Sequence, residues 1–264
     1  MCTLVALHRS IPGSILVVAA NRDEFLDRPG EVPALRATSS GPIVAPLDAL
    51  GGGTWFGVNP AGVFAALTNV ACPTPDPELR SRGLLVVDVL AARNAREATE
   101  KIASLPMGVH NPFNLFVADA EHAAAFTYED SVRPVADPGG VWIVGNAPLD
   151  APEPPKLGRL RGRVGRVASG STEDVLPGLA AICCDHDLGA RSPLDALCVH
   201  TPSYGTRSSF LLRITADLEN SRNVFRYAEG APCETEYEDF TFLLRDLGRG
   251  CPGVQGAPRT RSRC

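Results

Sequence analysis

The sequence is poor in aromatic residues and contains no long apolar run. Among its 264 residues there are only two Trp, four Tyr and ten Phe, whereas 25 Gly and 23 Pro predict many turns and short strands rather than a helical bundle. No apolar run approaches the roughly 18 residues needed to cross a bilayer, so we expect no membrane span. The nearest candidate, residues 11–20, contains Pro12 and Gly13 and is better interpreted as a strand than as a signal peptide.

Excess positive charge is also absent. Lys and Arg number 25 against 30 Asp and Glu, which gives a net charge of −5, and no cluster of basic residues is dense enough to bind phosphates. Nucleic acid is therefore excluded as an expected partner. With 44% hydrophobic and 21% charged residues, the chain has the composition of an ordinary globular protein with a substantial core.

The eight cysteines show no pattern of a disulfide framework or of a metal site. They lie far apart and form no CxxC motif, so we expect reduced thiols in the cytoplasm. The densest group of potential ligands comprises Cys183, Cys184, Asp185, His186, Asp187, Cys198 and His200. Its spacing matches no common zinc pattern, and we expect no metal there.

The order of apolar patterns predicts a single α+β domain over residues 1–244. Strands are expected at 3–7, 14–20, 54–58, 63–67, 114–118, 123–128, 141–145, 208–215, 223–227 and 235–243. Helical spacing covers 84–105, 156–168 and 172–182, and a loop rich in Pro and Gly covers 28–49. Residues 245–264 have little apolar content and are predicted to be a disordered tail.

The chain begins with a residue that can act as a nucleophile. Cys2 follows Met1, and a small second residue usually permits removal of the initiator Met. Cys2 would then carry a thiol and a free α-amine, and because the amine titrates near ~7.7–8.0, it can serve as the base for its own thiol. The alternative is an incidental cysteine at position two.

A polar motif follows where the second strand is expected to end. Two antiparallel strands of similar length would bring Asp23, within Asn21-Arg22-Asp23-Glu24, back to the Cys2 end of the sheet. There the carboxylate would hold an ammonium group in place, and Arg22 could stabilise a thiolate or bind an anionic substrate group. A solvated loop is the alternative interpretation.

Six short motifs now form an ordered set: Cys2; Asn21-Arg22-Asp23-Glu24; Gly52-Gly53-Thr54-Trp55-Phe56-Gly57; Ala66-Leu67-Thr68-Asn69; Asn111-Pro112-Phe113-Asn114-Leu115; and Tyr204-Gly205-Thr206-Arg207-Ser208. Over residues 2–243 the chain resembles the NRDE family, also called the transport-and-Golgi-organisation family. That family resembles N-terminal-nucleophile (Ntn) hydrolases. The resemblance implies a four-layer αββα sandwich with two antiparallel sheets, and it suggests cleavage of a C–N amide bond.

A more distant resemblance, to the bile-salt and penicillin-V acylases, implies further catalytic residues. By motif, Cys2 and Asp23 match the nucleophile and its supporting carboxylate, and the remaining matches are Asn69 and Asn146 as oxyanion donors and Arg207 as the late arginine. The acylases carry an arginine three residues before the aspartate, whereas this chain has Ala20 there. Asparagines at strand ends are also common turn residues, so the alternative for Asn69 and Asn146 is a structural role in a turn.

Four residues are candidates for substrate binding: Asn21, Arg22, Trp55 and Arg82. Trp55 is of a type more often found in the core, and Arg82 either opens a helix or lies on the rim of a cleft and receives an anionic group. The segment Gly51-Gly52-Gly53-Thr54 lacks the lysine of a phosphate loop and precedes a strand, so we interpret it as a turn with a close backbone approach.

The predicted function is hydrolysis of a small-molecule amide by Cys2 without a cofactor. The alternative is haem trafficking, to which members of the NRDE family have been linked, with axial ligands from Cys2, His8, His110, His122 or His200. No haem-attachment motif is present, and the five histidines are scattered along the sequence. A small molecule or haem is thus the expected partner, and the sequence does not determine the oligomeric state.

Overall fold

A computed structural model describes residues 2–187 and 192–250. Thirteen strands are found among these residues: β1 Thr3–His8, β2 Leu16–Phe25, β3 Gly30–Thr38, β4 Gly41–Asp48, β5 Phe56–Val58, β6 Phe64–Asn69, β7 Phe113–Ala118, β8 Ala123–Tyr128, β9 Val132–Val135, β10 Val141–Val144, β11 Tyr204–Ile214, β12 Val224–Ala228 and β13 Glu238–Asp239. The helices of the same region are α1 Arg82–Val89, α2 Ala95–Ala103, α3 Pro155–Ala168, α4 Val175–Cys183 and α5 Thr241–Gly248, with one 3₁₀ turn at Pro193–Asp195.

The strands form two antiparallel sheets. The first has the order β10-β1-β2-β11-β12-β13, and the second has the order β3-β4-β5-β6-β7-β8-β9. Alternate residues of β2 face opposite sides of the first sheet, as the period of two requires. Val18 belongs to the apolar cluster between the two sheets, whereas Val17 packs against α3 and α4.

Three apolar clusters separate four layers. The cluster between the sheets includes Phe56 of β5 and Phe210 of β11, whose rings stack with their centroids 3.8 Å apart. A second cluster lies between the second sheet and α1 and α2, and a third lies between the first sheet and α3 and α4. The layer order is therefore αββα, which confirms the α+β expectation with two antiparallel sheets.

The glycine-rich turn before β5 fits closely against the start of α1. A Cβ at Gly53 would lie 2.1 Å from the carbonyl carbon of Gly83, a distance that no side chain tolerates. The N–H of Thr54 donates to the Gly83 carbonyl at 3.1 Å. The expected close approach at this turn is thus confirmed, and it fixes Trp55 and Arg82 on adjoining walls.

The expectation of a loop over residues 28–49 is wrong. This segment forms β3 and β4, and its prolines are compatible with strands for local reasons. Pro33 lies on β3, which is an edge strand, at an irregularity of the register between Glu31 and Ala34. Strand β4 pairs with β5 only through Val44, so few N–H groups of β4 have to donate hydrogen bonds on that side, and prolines are tolerated there.

The expectation of a strand over residues 235–243 is also wrong. Only Glu238–Asp239 is a strand there, and helix α5 begins at Thr241. Leu243, Leu244 and Leu247 share one face of this helix and are buried in the cluster between the sheets. The helix continues past position 245, where we expected the tail to begin, and most of that expected tail, residues 251–264, lies outside the described residues.

Two further differences concern strands. The second strand was expected to end near Ala20 but continues to Phe25, and β9 was not expected. The longer β2 places Asn21, Arg22 and Asp23 inside the sheet rather than in a loop. Within the described part of the chain, no helix is long and apolar enough to cross a membrane.

Candidate active site

The first two strands bring the start of the chain beside Asp23. Thr3 pairs with Asn21 in the antiparallel register, and the Cys2 sulfur lies 3.9 Å from the Asp23 carbonyl oxygen. Cys2 precedes Thr3 and shares the face of Leu4, which belongs to the cluster between the sheets. Its thiol therefore opens toward a cleft at the end of that intersheet core.

The cleft has a volume of about 240 Å³ and a strongly charged wall. Its charged lining residues are Arg22, Arg28, Arg80 and Arg82 on the basic side, and Glu24, Asp48 and Asp76 on the acidic side. Cys2, Trp55 and Asn69 also line it. This volume is below the roughly 300–1,000 Å³ of most small-molecule sites, which favours a small ligand, and the mixture of charges favours a polar one.

Asp23 is buried between β11 and the start of α3. Thr206, its partner in the sheet register, donates from Oγ1 to Asp23 Oδ1 at 2.7 Å. Tyr204 donates its hydroxyl to the Asp23 carbonyl at 2.9 Å. Burial raises the pKa of Asp23 to about 6, against the opposing effect of the positively charged chain terminus, the Thr206 hydrogen bond and Lys156.

The Cys2 thiol is held largely in its protonated form. Burial raises the pKa of Cys2, and although the positive charges of the chain terminus and Arg22 lower it, the net direction is upward. A thiol in this state needs a neighbouring base before it can attack a carbonyl. Burial also lowers the pKa of Lys156, on which the charges of Asp23 and Cys2 act in the opposite direction.

Arg22 and Trp55 form one side of the cleft. The Arg22 guanidinium carbon lies 4.3 Å from the centroid of the Trp55 ring, a cation–π contact, and Arg22 is only 8% exposed. The Glu24 carboxylate lies 3.9 Å from the Arg22 guanidinium and 3.9 Å from that of Arg28, so the two arginines share it. The stacking restrains the guanidinium in the cleft that Cys2 also lines.

Of the four arginines of the cleft, Arg82 is the one without a carboxylate within 4.0 Å in the described ranges. Arg28 pairs with Asp48 at 2.6 Å, and Arg80 pairs with Asp88 at 2.7 Å. Arg82 instead donates to the Pro112 carbonyl at 2.9 Å, and burial lowers its pKa. It is therefore a charged donor at the cleft with capacity for an anionic group.

The two expected oxyanion donors occupy different positions. Asn69 ends β6 and lines the cleft with Cys2, and none of the hydrogen bonds among the described residues uses its side-chain amide. Asn146 donates its Nδ2 to the Asn69 carbonyl at 2.5 Å and accepts from the Ala71 N–H through its own carbonyl. Asn146 does not line the cleft, so its contacts are those of a support for Asn69.

Asn21 and Arg207 also lie behind the cleft rather than on its surface. The Asn21 amide donates to the carbonyls of Cys183 and Leu197 at 2.8 and 2.9 Å, toward α4. Arg207, at the irregularity in β11, donates to the Arg28 carbonyl at 3.4 Å. Their contacts join neighbouring segments of the wall.

The histidines proposed as haem ligands do not meet at the cleft. His8 bonds the Asp119 carbonyl, and His110 is buried with its Nδ1 on the Arg80 carbonyl. No histidine of the described residues lines the cavity beside Cys2. His200 lies elsewhere, in a group with His186, Cys198 and Cys233.

Several residues of the site were not singled out from the sequence. Thr206 and Tyr204 belong to the motif Tyr204-Gly205-Thr206-Arg207-Ser208, so their proximity to the site could have been inferred from its resemblance to the family. Lys156 and Asp48 carried no signal, because only the packing of α3 and β4 brings them to the cleft region.

Two of the solved structures that share this architecture are variants of one hydrolase. A mutant conjugated bile acid hydrolase from Clostridium perfringens aligns with a TM-score of 0.52 at 12% identity, covering 94% of each chain. A second variant of that enzyme aligns with a TM-score of 0.50 over the same shares. At this identity the similarity concerns the fold, and the fold is that of the Ntn hydrolases, as the resemblance implied.

Sequence comparison places the chain among proteins of a single description. It is 31% identical over 229 residues to the Transport and Golgi organization protein 2 homolog of Bos taurus and 30% identical to that of Homo sapiens, covering 76% of this chain and 83% of each relative. The profile of Transport and Golgi organisation 2 matches residues 1–227. The chain therefore belongs to the Transport and Golgi organisation 2 family, with the Ntn-hydrolase fold.

Proposed function

We propose that the mature chain, after loss of Met1, hydrolyses a C–N amide bond of a small molecule with the Cys2 thiol as nucleophile. The observation that carries this proposal is the position of Cys2, which lines a charged cleft with its sulfur 3.9 Å from the Asp23 carbonyl. The buried Asp23 carboxyl supplies the negative charge that would orient a terminal ammonium.

The first step is attack on the amide carbonyl. The α-amine of Cys2 takes the thiol proton, the thiolate sulfur bonds to the carbonyl carbon, and the carbonyl oxygen becomes an oxyanion. The unengaged amide of Asn69 supports the assignment of this residue as the oxyanion donor. Asn146 holds Asn69 in place by donating a hydrogen bond to the Asn69 carbonyl, so Asn146 is a positioning residue.

The second step releases the amine and then the acid. The protonated α-amine delivers its proton to the leaving nitrogen as the C–N bond breaks, which leaves a thioester on Cys2. Water then attacks the thioester carbonyl, with the same amine as base, and the free carboxylic acid departs as the thiol is restored. Because the thiol must stay reduced, the proposal places the protein in a reducing compartment such as the cytoplasm.

Intact-mass analysis after treatment with a β-lactone tests the proposal. We expect the full chain to lack Met1 and to gain one acyl adduct, mapped to the N-terminal peptide. A chain carrying a stable extension before Cys2 should gain none there, because its amine is no longer on the cysteine. Equal labelling of both chains at Cys2, or retention of Met1 in the native chain, would contradict the proposal.

The same two chains separate hydrolysis from the alternative of haem handling. Haem binding would not require a free α-amine. If haem handling is the activity, the extended chain and the native chain should therefore bind haem with equal affinity. Among the described residues no histidine lines the cleft, so the residue there that could bind haem iron is Cys2, as a thiolate. Absorbance titration with haem on both chains measures this directly.

Arg82 is expected to select substrates that carry an anionic group. Since a hydrogen bond to a charged group contributes about 1.5–3 kcal/mol, Arg82→Gln should raise KM for a carboxylate-bearing amide roughly 10- to 100-fold with little change in kcat. Steady-state kinetics on paired N-acyl amino acids and neutral N-acyl amines measures the effect, which should be confined to the acids.

Arg80→Gln is the matched control for this prediction. Arg80 also lines the cleft, but its charge is engaged by Asp88 and its side chain is 44% exposed. Its loss should change KM by less than about threefold, because exposed ion pairs contribute little. An equal effect of both substitutions would show that general cleft charge, not Arg82, selects the substrate.

A further inference from the structure

A second chemical cluster lies outside the cleft, where three segments of the chain meet. It consists of His186, Cys198, His200 and Cys233, whose potential ligand atoms all lie within 4.8 Å of one another. The Cys198 sulfur is 3.5 Å from His200 Nε2 and 3.5 Å from the Cys233 sulfur. His200 Nε2 is 3.2 Å from the Cys233 sulfur.

The separations among Cys198, His200 and Cys233 are close to those of ligands around one tetrahedral ion. With Zn–S near 2.3 Å and Zn–N near 2.0–2.1 Å, a tetrahedron requires about 3.8 Å between two sulfurs and about 3.6 Å between sulfur and nitrogen. The three distances among Cys198, His200 and Cys233 differ from these by a few tenths of an ångström, and the His186 nitrogen lies within 4.8 Å of each of the three. The His186 ring completes the set, with its centroid 5.1 Å from that of His200 in an edge-on arrangement.

Hydrogen bonds outside the cluster hold its segments together. The Cys198 N–H donates to the Asp185 carbonyl at 2.9 Å, which ties the residue before His186 to the segment of Cys198. The Cys184 thiol donates to the Pro232 carbonyl at 3.2 Å, next to Cys233. The four side chains are thus brought together by packing that does not depend on them, which is a favourable starting point for metal binding.

We propose that these two cysteines and two histidines bind one Zn²⁺ ion as a structural site. Four protein ligands of this type fill a tetrahedral coordination sphere and leave no position for substrate, as in closed structural sites. Both cysteines would bind as thiolates, so two thiol protons are released to solvent when the ion enters. The proposal does not depend on the activity of Cys2.

The site would also stabilise the support of Asp23. Val199, between the ligands Cys198 and His200, donates its N–H to Thr206 Oγ1 at 2.9 Å and accepts from the Thr206 N–H. Thr206 in turn donates to the Asp23 carboxyl. A bound ion would therefore restrain the segment that positions the Thr206 hydroxyl.

Elemental analysis of the full chain, purified under reducing conditions without added metal, tests the proposal. We expect about one zinc per chain in the native protein and in Cys184→Ser, and less than about a tenth of that in Cys233→Ser. Cys184 is the matched control, since it is a neighbouring thiol outside the ligand set. Circular dichroism of each variant separates loss of zinc from loss of fold.

Cobalt substitution keeps the proposal testable even if Cys233→Ser does not fold. Replacing the bound ion of the native protein with Co²⁺ should give thiolate-to-cobalt charge transfer and intense visible bands, both characteristic of tetrahedral coordination. A native protein that neither contains zinc nor takes up zinc or cobalt would overturn the proposal. A disulfide between Cys198 and Cys233 in the reduced preparation, seen by alkylation and mass analysis, would also overturn it.

Discussion

Replacing Cys2 with Ala is expected to lower kcat/KM for amide hydrolysis by at least about a thousandfold, because the chain loses the proposed nucleophile. The fold should be unaffected. The Cys2 sulfur makes one long contact with the Asp23 carbonyl, so its removal leaves no buried group without a strong partner. Initial rates on a panel of fluorogenic amides, with thermal unfolding of the same samples, measure both effects.

Cys72→Ala is the control for this substitution. Cys72 is another partly exposed thiol, and its charge acts on Arg82 as that of Cys2 does, but it does not line the cleft. Its loss should leave the rate within about twofold of the native value, as is usual for positions outside a reacting centre. If Cys2→Ala retained the native rate, the hydrolysis observed would belong to another residue or to a contaminant.

Asp23→Asn is expected to stabilise the fold at high pH while slowing the reaction. Burial raises the pKa of Asp23 from 3.8 to about 6, so the folded state holds this proton more tightly than the unfolded state does. The free energy of unfolding therefore falls as the pH rises from about 4 to about 6. At about 1.4 kcal/mol per pKa unit, the loss is about 3 kcal/mol. A neutral Asn avoids that cost, but it no longer orients the α-amine, and we expect a rate loss on the order of a hundredfold.

Urea unfolding at pH 4 and pH 8 measures the stability effect, and Asp48→Asn supplies a control of opposite sign. Burial alone would raise the pKa of Asp48, but the hydrogen bonds and the charge of Arg28 lower this pKa. Asp48 thus contributes stability above its unfolded pKa, and Asp48→Asn should destabilise the protein at pH 8. Relative to the native chain, Asp23→Asn should gain stability between pH 4 and pH 8, and Asp48→Asn should lose it. If both variants gained stability over this interval, or both lost it, the assigned environment of Asp23 would be incorrect.

The candidate site was predictable in outline because its residues lie next to regular elements. Cys2 and Asp23 are joined by one hairpin, and antiparallel pairing alone brings them together. The resemblance added Asn69, which lines the cleft, and Asn146, whose position behind Asn69 depends on the loop after β10. Whether a side chain faces the cleft or the opposite layer could not be assigned while β2 was expected to end near Ala20.

The errors in the fold have a common origin in local composition. Prolines suggested a loop where an edge strand and its weakly paired neighbour tolerate them. A strand was expected over residues 235–243, part of which belongs to α5, where Leu243, Leu244 and Leu247 form the buried face. In both cases burial against the intersheet core decided the structure, and local propensity is a weaker effect.

The sequence by itself determined the fold class, the hairpin that carries Cys2 and Asp23, and membership of the family, because these depend on neighbouring residues and on ordered motifs. Only the tertiary structure decided what surrounds them. The Arg22–Trp55 stack and the unpaired Arg82 of the described cleft arise from packing between elements far apart in sequence. The cluster of His186, Cys198, His200 and Cys233 shows this most clearly: Cys233 lies 33 residues after His200, so no spacing rule could join them, and folding alone brings the potential ligand atoms of the cluster within 4.8 Å of one another.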